Sequence, residues 1–217
     1  MKRTGLLLFC LLPLHGFPAE KFSDYYYQKV SLFEQLPASP EDILFLGDSI
    51  TDGGEWSELF ADARIKNRGI SGDTVAGVAA RLPSLLKSQP TRIFLMIGTN
   101  DVKFEKSDEK IAAGITAIIR IIQKESPQTV IFLQSLLPMN PSFPDHRQHV
   151  RQWQRIPHIN LLLKEAAGNA QIRYIDLYSA FADENGRLKA EYTNDGLHLT
   201  GNGYRLWKSL IEKYVTD

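Results

Sequence analysis

Ile43-Leu44-Phe45-Leu46 is a run of four apolar residues that stops at Gly47 and is followed at once by Asp48 and Ser49. An unbroken apolar run this short, closed by a turn residue, fits a strand buried on both faces, as in a parallel sheet. The same pattern returns along the chain. Ile65 to Ile70 leads into Ser71-Gly72-Asp73-Thr74, and Ile93 to Ile97 breaks at Gly98-Thr99-Asn100-Asp101. Val130 to Leu133 and Ile172 to Ile175 give two more short runs. Between them the apolar period changes from strand to helix. Val75, Val78, Leu82, Leu85 and Leu86 recur at spacings of three and four, as do Ile111, Ile115, Ile118 and Ile122. Strands alternating with helices imply βαβ units with right-handed crossovers. The expectation is an α/β fold: a three-layer α/β/α domain of flavodoxin-like type with a five-stranded parallel sheet. Strand order 2-1-3-4-5 is expected from its frequency among such folds.

Local signals add detail. Thr51 to Phe60 reads as a helix after the first strand. Thr74 or Asp73 can cap the helix that follows, and Pro90 ends it. A helix is expected from Asp108 to about Glu125, and another over Val150 to Ala167 that Pro157 kinks or divides. Pro138 to His149 reads as a long polar loop. The last helix begins after Thr200, a natural N-cap, with Tyr204, Trp207, Ile211 and Tyr214 on one face. Lys21 to Pro40, with Tyr25-Tyr26-Tyr27, reads as an aromatic arm or helix covering the outside of the sheet. Of the 217 residues, 43% are hydrophobic, enough for one filled core, so residues 20–217 are expected to form a single domain.

Residues 1–19 differ in kind. Met1-Lys2-Arg3 is a basic start, Gly5 to Leu14 is apolar with Pro13 inside it, and Gly16 and Ala19 offer cleavage points. This reads as a secretory signal peptide, giving an exported protein, periplasmic or secreted. About ten apolar residues fall short of the roughly 20 that span a bilayer, so stable membrane insertion is not expected. Cys10 raises lipoprotein anchoring, against which the bulky Phe9 counts. Removal of the segment takes away Cys10, the chain's one cysteine, and with it both disulfides and a thiol nucleophile. Formal net charge is zero, which gives no electrostatic case for a nucleic-acid partner.

In a parallel sheet all strand C-termini share an edge, so the loops carrying Ser49, Gly72 and Asn100 converge there. Serine is a poor nucleophile at neutral pH and needs a base in hydrogen-bond reach. His198 suits best. His15 lies in the signal segment, and His146, His149 and His158 lie in or near a loop and helix where no acid is expected to be fixed beside them. Asp195, three residues before His198, can take the Nδ1–H and leave Nε2 facing the serine. Asp176, at the end of the fifth strand, is the next candidate acid. The backbone N–H groups of Ser49 and Gly72 and the Asn100 amide could serve a tetrahedral oxyanion. Each motif alone has a plainer reading: Gly-Asp-Ser often caps a helix, and Asn100-Asp101 can be a turn. The combination in this order points to acyl transfer.

Gly47-Asp48-Ser49-Ile50, Gly72 in its turn, Gly98-Thr99-Asn100-Asp101 and Asp195-Gly196-Leu197-His198 together resemble the four sequence blocks of the SGNH (GDSL) hydrolases. Trp56 to Phe60, Leu136-Leu137-Pro138 and Leu197 to Tyr204 are similar to the platelet-activating-factor acetylhydrolase catalytic subunits and their bacterial relatives. The resemblance implies the SGNH hydrolase fold, with Ser49 as nucleophile, His198 as base and Asp195 as its orienting acid. It implies Ser49, Gly72 and Asn100 as oxyanion donors, and no metal or cofactor. In the acetylhydrolase subgroup that the chain resembles, apolar residues beside the serine and the histidine narrow the acyl pocket to acetyl; the resemblance implies that role for Ile50 and Leu197, although Ile50 replaces the usual leucine. The expected function is an exported serine esterase acting on short acyl, above all acetyl, oxygen esters of a small molecule or glycan. The alternatives are a lipid-directed acetylhydrolase, lysophospholipase or thioesterase, a non-catalytic glycan-binding protein, and a flavin or nucleotide binder. The last lacks a phosphate cradle after the first strand. Assembly state has no signature in the residues.

Overall fold

The computed structural model describes residues 21–145 and 147–216, so residues 1–19, expected to be a signal peptide, lie outside the described residues. In chain order the elements are α1 (Asp24–Gln35), β1 (Ile43–Gly47), α2 (Ser49–Asp52), α3 (Trp56–Phe60), β2 (Ile65–Gly69), α4 (Val75–Leu85), β3 (Arg92–Met96) and α5 (Thr99–Lys103). There follow α6 (Asp108–Glu125), β4 (Val130–Gln134), α7 (Arg147–Val150), α8 (Ile156–Asn169), β5 (Arg173–Ile175), α9 (Tyr178–Phe181) and α10 (Gly201–Thr216). The five strands form one sheet in the order β2-β1-β3-β4-β5, every pair parallel, as expected.

Side chains alternate across a strand, and in register they stack into rows. Phe45 pairs with Phe94 and Phe94 with Phe132, so three aromatics line up across β1, β3 and β4. Their rings stack at 4.9 and 4.6 Å between centroids. This row faces one helical layer: Trp56 of α3 stacks on Phe45, Trp207 of α10 meets Trp56 edge-on, and Tyr214 packs on Phe132. The other layer is α4 against α6 and α6 against α8. There Ile111, Ile115, Ile118, Ile119 and Ile122 of α6 are all buried. Three layers follow directly from strands apolar on both faces.

Several details differ from the sequence expectation. The segment Thr51–Phe60 is two short helices, because Gly53-Gly54 breaks it and Asn67 Nδ2 takes the carbonyls freed at Thr51, Asp52 and Gly54. Pro157 neither kinks nor divides α8; it sits in the first turn, where its missing N–H costs nothing. The loop expected from Pro138 is not a polar surface loop at its start: Pro138, Met139 and Asn140 are buried. Thr200 precedes α10 and its carbonyl accepts from Tyr204 N, but its Oγ1 is buried without a partner, so it makes no side-chain cap. Thr74 does cap α4, through Gly77 N. Of the three consecutive tyrosines only Tyr26 is buried; its hydroxyl donates to the Gly77 carbonyl and fastens α1 to α4.

Candidate active site

Ser49 is the first residue of α2, at the carboxyl end of central strand β1. Asp48 caps that helix by accepting the Ile50 N–H at 3.1 Å, so the plain helix-cap reading of Gly-Asp-Ser is also true. A Cβ at Gly69 would run into the backbone of Asp52, so only glycine lets α2 lie this close to β2. Tyr204 of α10 donates to the Ile50 carbonyl at 2.9 Å and holds the same turn from the other side. Asp52 completes the clamp. Its carboxylate accepts from Tyr25 and Lys29 of α1 and from both the backbone N–H and the hydroxyl of Ser71.

The loop before α10 brings His198 across the sheet edge. Ser49 Oγ lies 3.0 Å from His198 Nε2, and His198 Nδ1 lies 2.7 Å from Asp195 Oδ2. The other carboxylate oxygen, Oδ1, accepts the backbone N–H groups of Leu197 and His198, both at 2.8 Å. Gly196 turns the loop at φ +83°, and its carbonyl accepts from Asn140 N at 2.8 Å, tying the loop to the chain leaving β4. Partial burial alone would raise the Asp195 carboxyl. The hydrogen bonds from the His198 ring and the two amides outweigh it and bring the group down to about 2. A carboxylate that stays ionised is what holds a histidine in the Nδ1–H form and leaves Nε2 as an acceptor for a hydroxyl proton.

The three expected donors follow β1, β2 and β3, whose carboxyl ends share one edge of the parallel sheet. Among the described residues the Ser49 and Gly72 amide N–H groups have no acceptor. Gly72 is exposed with φ +83°, a conformation that favours glycine. Asn100, at the start of α5, is buried, and its Nδ2 donates one hydrogen to the Asp73 carbonyl at 2.8 Å. Its amide oxygen lies 3.1 Å from His149 Nε2. Groups of this kind, fixed before the charge develops, stabilise a tetrahedral oxyanion without reorganising.

Beneath these loops lies a buried charge cluster that the motifs do not announce. Arg81 of α4 pairs with Asp73 at 2.9 Å and donates to the carbonyls of Arg68 and Gly47, joining the ends of β1 and β2 to the Gly72 turn. Asp101 accepts the Val75 N–H at 2.9 Å and pairs with Lys106 at 3.1 Å. Asp48 Oδ2 is buried with no hydrogen-bond partner. Burial, reinforced by Asp73 and Asp101, raises the Asp48 carboxyl from 3.8 to about 7. Burial also lifts Asp73 to about 6 against the pull of Arg81. Both folded values lie above the unfolded one, so between about pH 4 and 7 the folded chain keeps protons that the unfolded chain has lost. Stability from Asp48 is therefore present at low pH and declines as pH rises to 7. Thermal melts should show Asp48→Asn, which keeps the Ile50 acceptor, losing clearly less stability than wild type between pH 5 and pH 8. Equal losses in the two proteins would contradict this origin.

The sequence-derived residues thus come together at one edge, with two qualifications. Ile50 and Leu197 are each 2% exposed and belong to the core, so they flank Ser49 and His198 but offer an incoming group almost no surface. Asp176 does not approach His198; it accepts from the Ser179 N–H and hydroxyl. Two other histidines also depart from expectation. His158 does have a fixed acid, Asp108, at 2.8 Å, and His149 stands beside Asn100. Neither link shows in the sequence, because 50 and 49 residues separate the partners.

Comparison with known proteins agrees with this geometry. Residues 45–206, which contain all four loops, match the model of the GDSL-like lipase/acylhydrolase family. The chain is 34% identical over 179 residues to rat platelet-activating factor acetylhydrolase IB subunit alpha2, covering 79% of this chain and 75% of that one. Among solved structures, a Streptococcus pneumoniae protein named after platelet activating factor superposes with a TM-score of 0.79 at 31% identity, over 88% of this chain and 91% of its own. A GDSL-like lipase from Bacteroides thetaiotaomicron gives 0.76 at 25% identity, over 88% and 96%. With the family match spanning the whole sheet edge on which Ser49, Gly72, Asn100 and His198 meet, the chain belongs to the GDSL-like lipase/acylhydrolase (SGNH) family and is an ester-hydrolysing enzyme.

Proposed function

We propose that this enzyme is an exported serine esterase that removes short acyl groups, above all acetyl, from oxygen esters of carbohydrate. The observation that carries the chemistry is the continuous hydrogen-bond path from Ser49 Oγ through His198 to Asp195. In the first half-reaction the Ser49 oxygen bonds to the ester carbonyl carbon while its proton passes to His198 Nε2. The carbonyl oxygen takes the negative charge and faces the Ser49 and Gly72 amides and the second Asn100 amide hydrogen. The intermediate collapses by breaking the bond to the alcohol, and the proton on His198 goes to the departing oxygen. Water then attacks the acyl-serine by the same route, His198 taking its proton and returning one to Ser49. Acid and restored serine are the products.

Acetyl is favoured by the likeness to proteins named acetylhydrolases. The acceptor side is suggested by a cavity of about 500 Å³ that borders Gly72 and is walled by Phe22, Tyr26 and Phe104, with Lys21 and Lys106 at its rim. That volume lies in the range of small-ligand sites. Phe104 is 57% exposed, an aromatic face of the kind that packs on a sugar ring. The carbohydrate reading also rests on the N-terminal segment, which reads as a signal for export.

The test is a substrate panel. The mature protein should hydrolyse p-nitrophenyl acetate at least about tenfold faster than the octanoate, and acetylated oligosaccharides faster than acetylated ether phospholipid. Phe104→Ala should raise KM for the oligosaccharide several-fold and leave p-nitrophenyl acetate unchanged. Preference for the phospholipid would replace the carbohydrate reading with a lipid-directed acetylhydrolase. A protein inert on every ester would remove the proposal.

A further inference from the structure

We infer that His149 is a positioning residue, one that fixes the orientation of the oxyanion donor Asn100; this rests on the reading of Asn100 as a donor given above. The argument is one of matching donors to acceptors. The Asp73 carbonyl can only accept, so the Asn100 atom 2.8 Å from it must be Nδ2. The amide oxygen is then the atom 3.1 Å from His149 Nε2, and because that oxygen can only accept, Nε2 must carry hydrogen. The amide is thereby held at both ends. Its Nδ2 hydrogen not bound to Asp73 has one direction left to it. Without His149 the Asp73 contact alone remains, and the amide can swing about it.

The surrounding structure is built to keep His149 there. It lies on α7, which packs on α5, the helix that Asn100 opens. Val150, the next residue, is 3% exposed and anchors the turn. Beyond it, Arg151 and Gln152 reach Glu105, and Arg155 reaches both Asp108 and the Lys106 carbonyl. His158 reaches Asp108 as well. One stretch of chain, residues 151–158, is lashed to another, residues 105–108, on the far side of α5. These contacts set α7 over the oxyanion site from outside the four motif loops. His149 touches no reacting atom; it acts through Asn100.

The test separates this role from general stability. His149→Phe keeps a ring of similar size but has no donor, and it should lower kcat on p-nitrophenyl acetate by about tenfold with KM within twofold. His149→Gln, whose Nε2 can donate from a similar distance, should recover most of that loss. In the Asn100→Ala background, His149→Phe should cost nothing more, since the group it orients is gone. A His149→Phe kcat within threefold of wild type, or an equal proportional loss in the Asn100→Ala background, overturns the inference. The Asn100→Ala single variant keeps the two levels apart. Its kcat should fall about 10²–10³-fold. If it instead turns over at the wild-type rate, the oxyanion reading fails and the inference with it. If it collapses while His149→Phe does not, the inference alone fails.

Discussion

Ser49→Ala should lower kcat/KM on p-nitrophenyl acetate by about 10⁴-fold or more, with a melting temperature within about 2 °C of wild type. The two halves of that expectation have separate causes. The Ser49 hydroxyl meets His198 Nε2 and contributes nothing to the helix cap, which belongs to Asp48. Its backbone N–H and carbonyl survive the change, and the carbonyl continues to accept from Gly53 N. The hydroxyl disappears while the turn that carried it stays. Removal of a nucleophile from such a set leaves only the rate that binding and the oxyanion donors supply. A loss under tenfold would mean that another group attacks the ester.

Asp195→Asn should cost nearly as much, roughly 10³–10⁴-fold in kcat, for a different reason. The two carboxylate oxygens have divided roles. Oδ1 holds the amides of Leu197 and His198, and an asparagine Oδ1 can do the same, so the loop keeps its shape. Oδ2 accepts from His198 Nδ1, and an amide nitrogen in its place donates. The ring must then carry its hydrogen on Nε2, pointing at Ser49, and can no longer take the serine's proton. Asp195→Ala should lose activity too, but also the loop's amide contacts, so its melting temperature should fall where that of Asp195→Asn does not. In the wild type Asp195, held down at about 2, stays ionised well below neutral pH, so it should contribute no step to the pH profile between about pH 4 and 8. If Asp195→Ala keeps turnover within a few-fold of wild type, Asp195 is not the orienting acid.

What could be read from the residues and what could not divides along physical lines. The sheet was legible because a strand covered on both faces must be apolar, as β1 is throughout and β3 and β4 are apart from Arg92 and Gln134 at their ends. The loops were legible because their chemistry is local: Asp195 and His198 are three residues apart, and one turn sets their geometry. Gly53-Gly54 was open to a helical reading because the Trp56 and Leu59-Phe60 pattern looked continuous, whereas the Asn67 side chain that stabilises the break comes from the next strand. Links between distant segments left no trace in periodicity. His149 meets Asn100 only because α7 packs on α5, and Arg81 reaches Gly47 only because β1 lies beside β2. The placement of Ile50 and Leu197 is instructive in the same way. Their positions beside Ser49 and His198 were readable, while their near-complete burial in the hydrophobic core was not.

The most direct test of the account is to find where a covalent acyl-type label lands. A serine-directed organophosphonate ester should modify the enzyme once, and peptide mass mapping should place the adduct on Ser49. Labelling should be slowed at least about 10²-fold in His198→Ala and be absent in Ser49→Ala. An adduct on any other residue, or full esterase activity in an enzyme that takes no label, would contradict Ser49 as the attacking group.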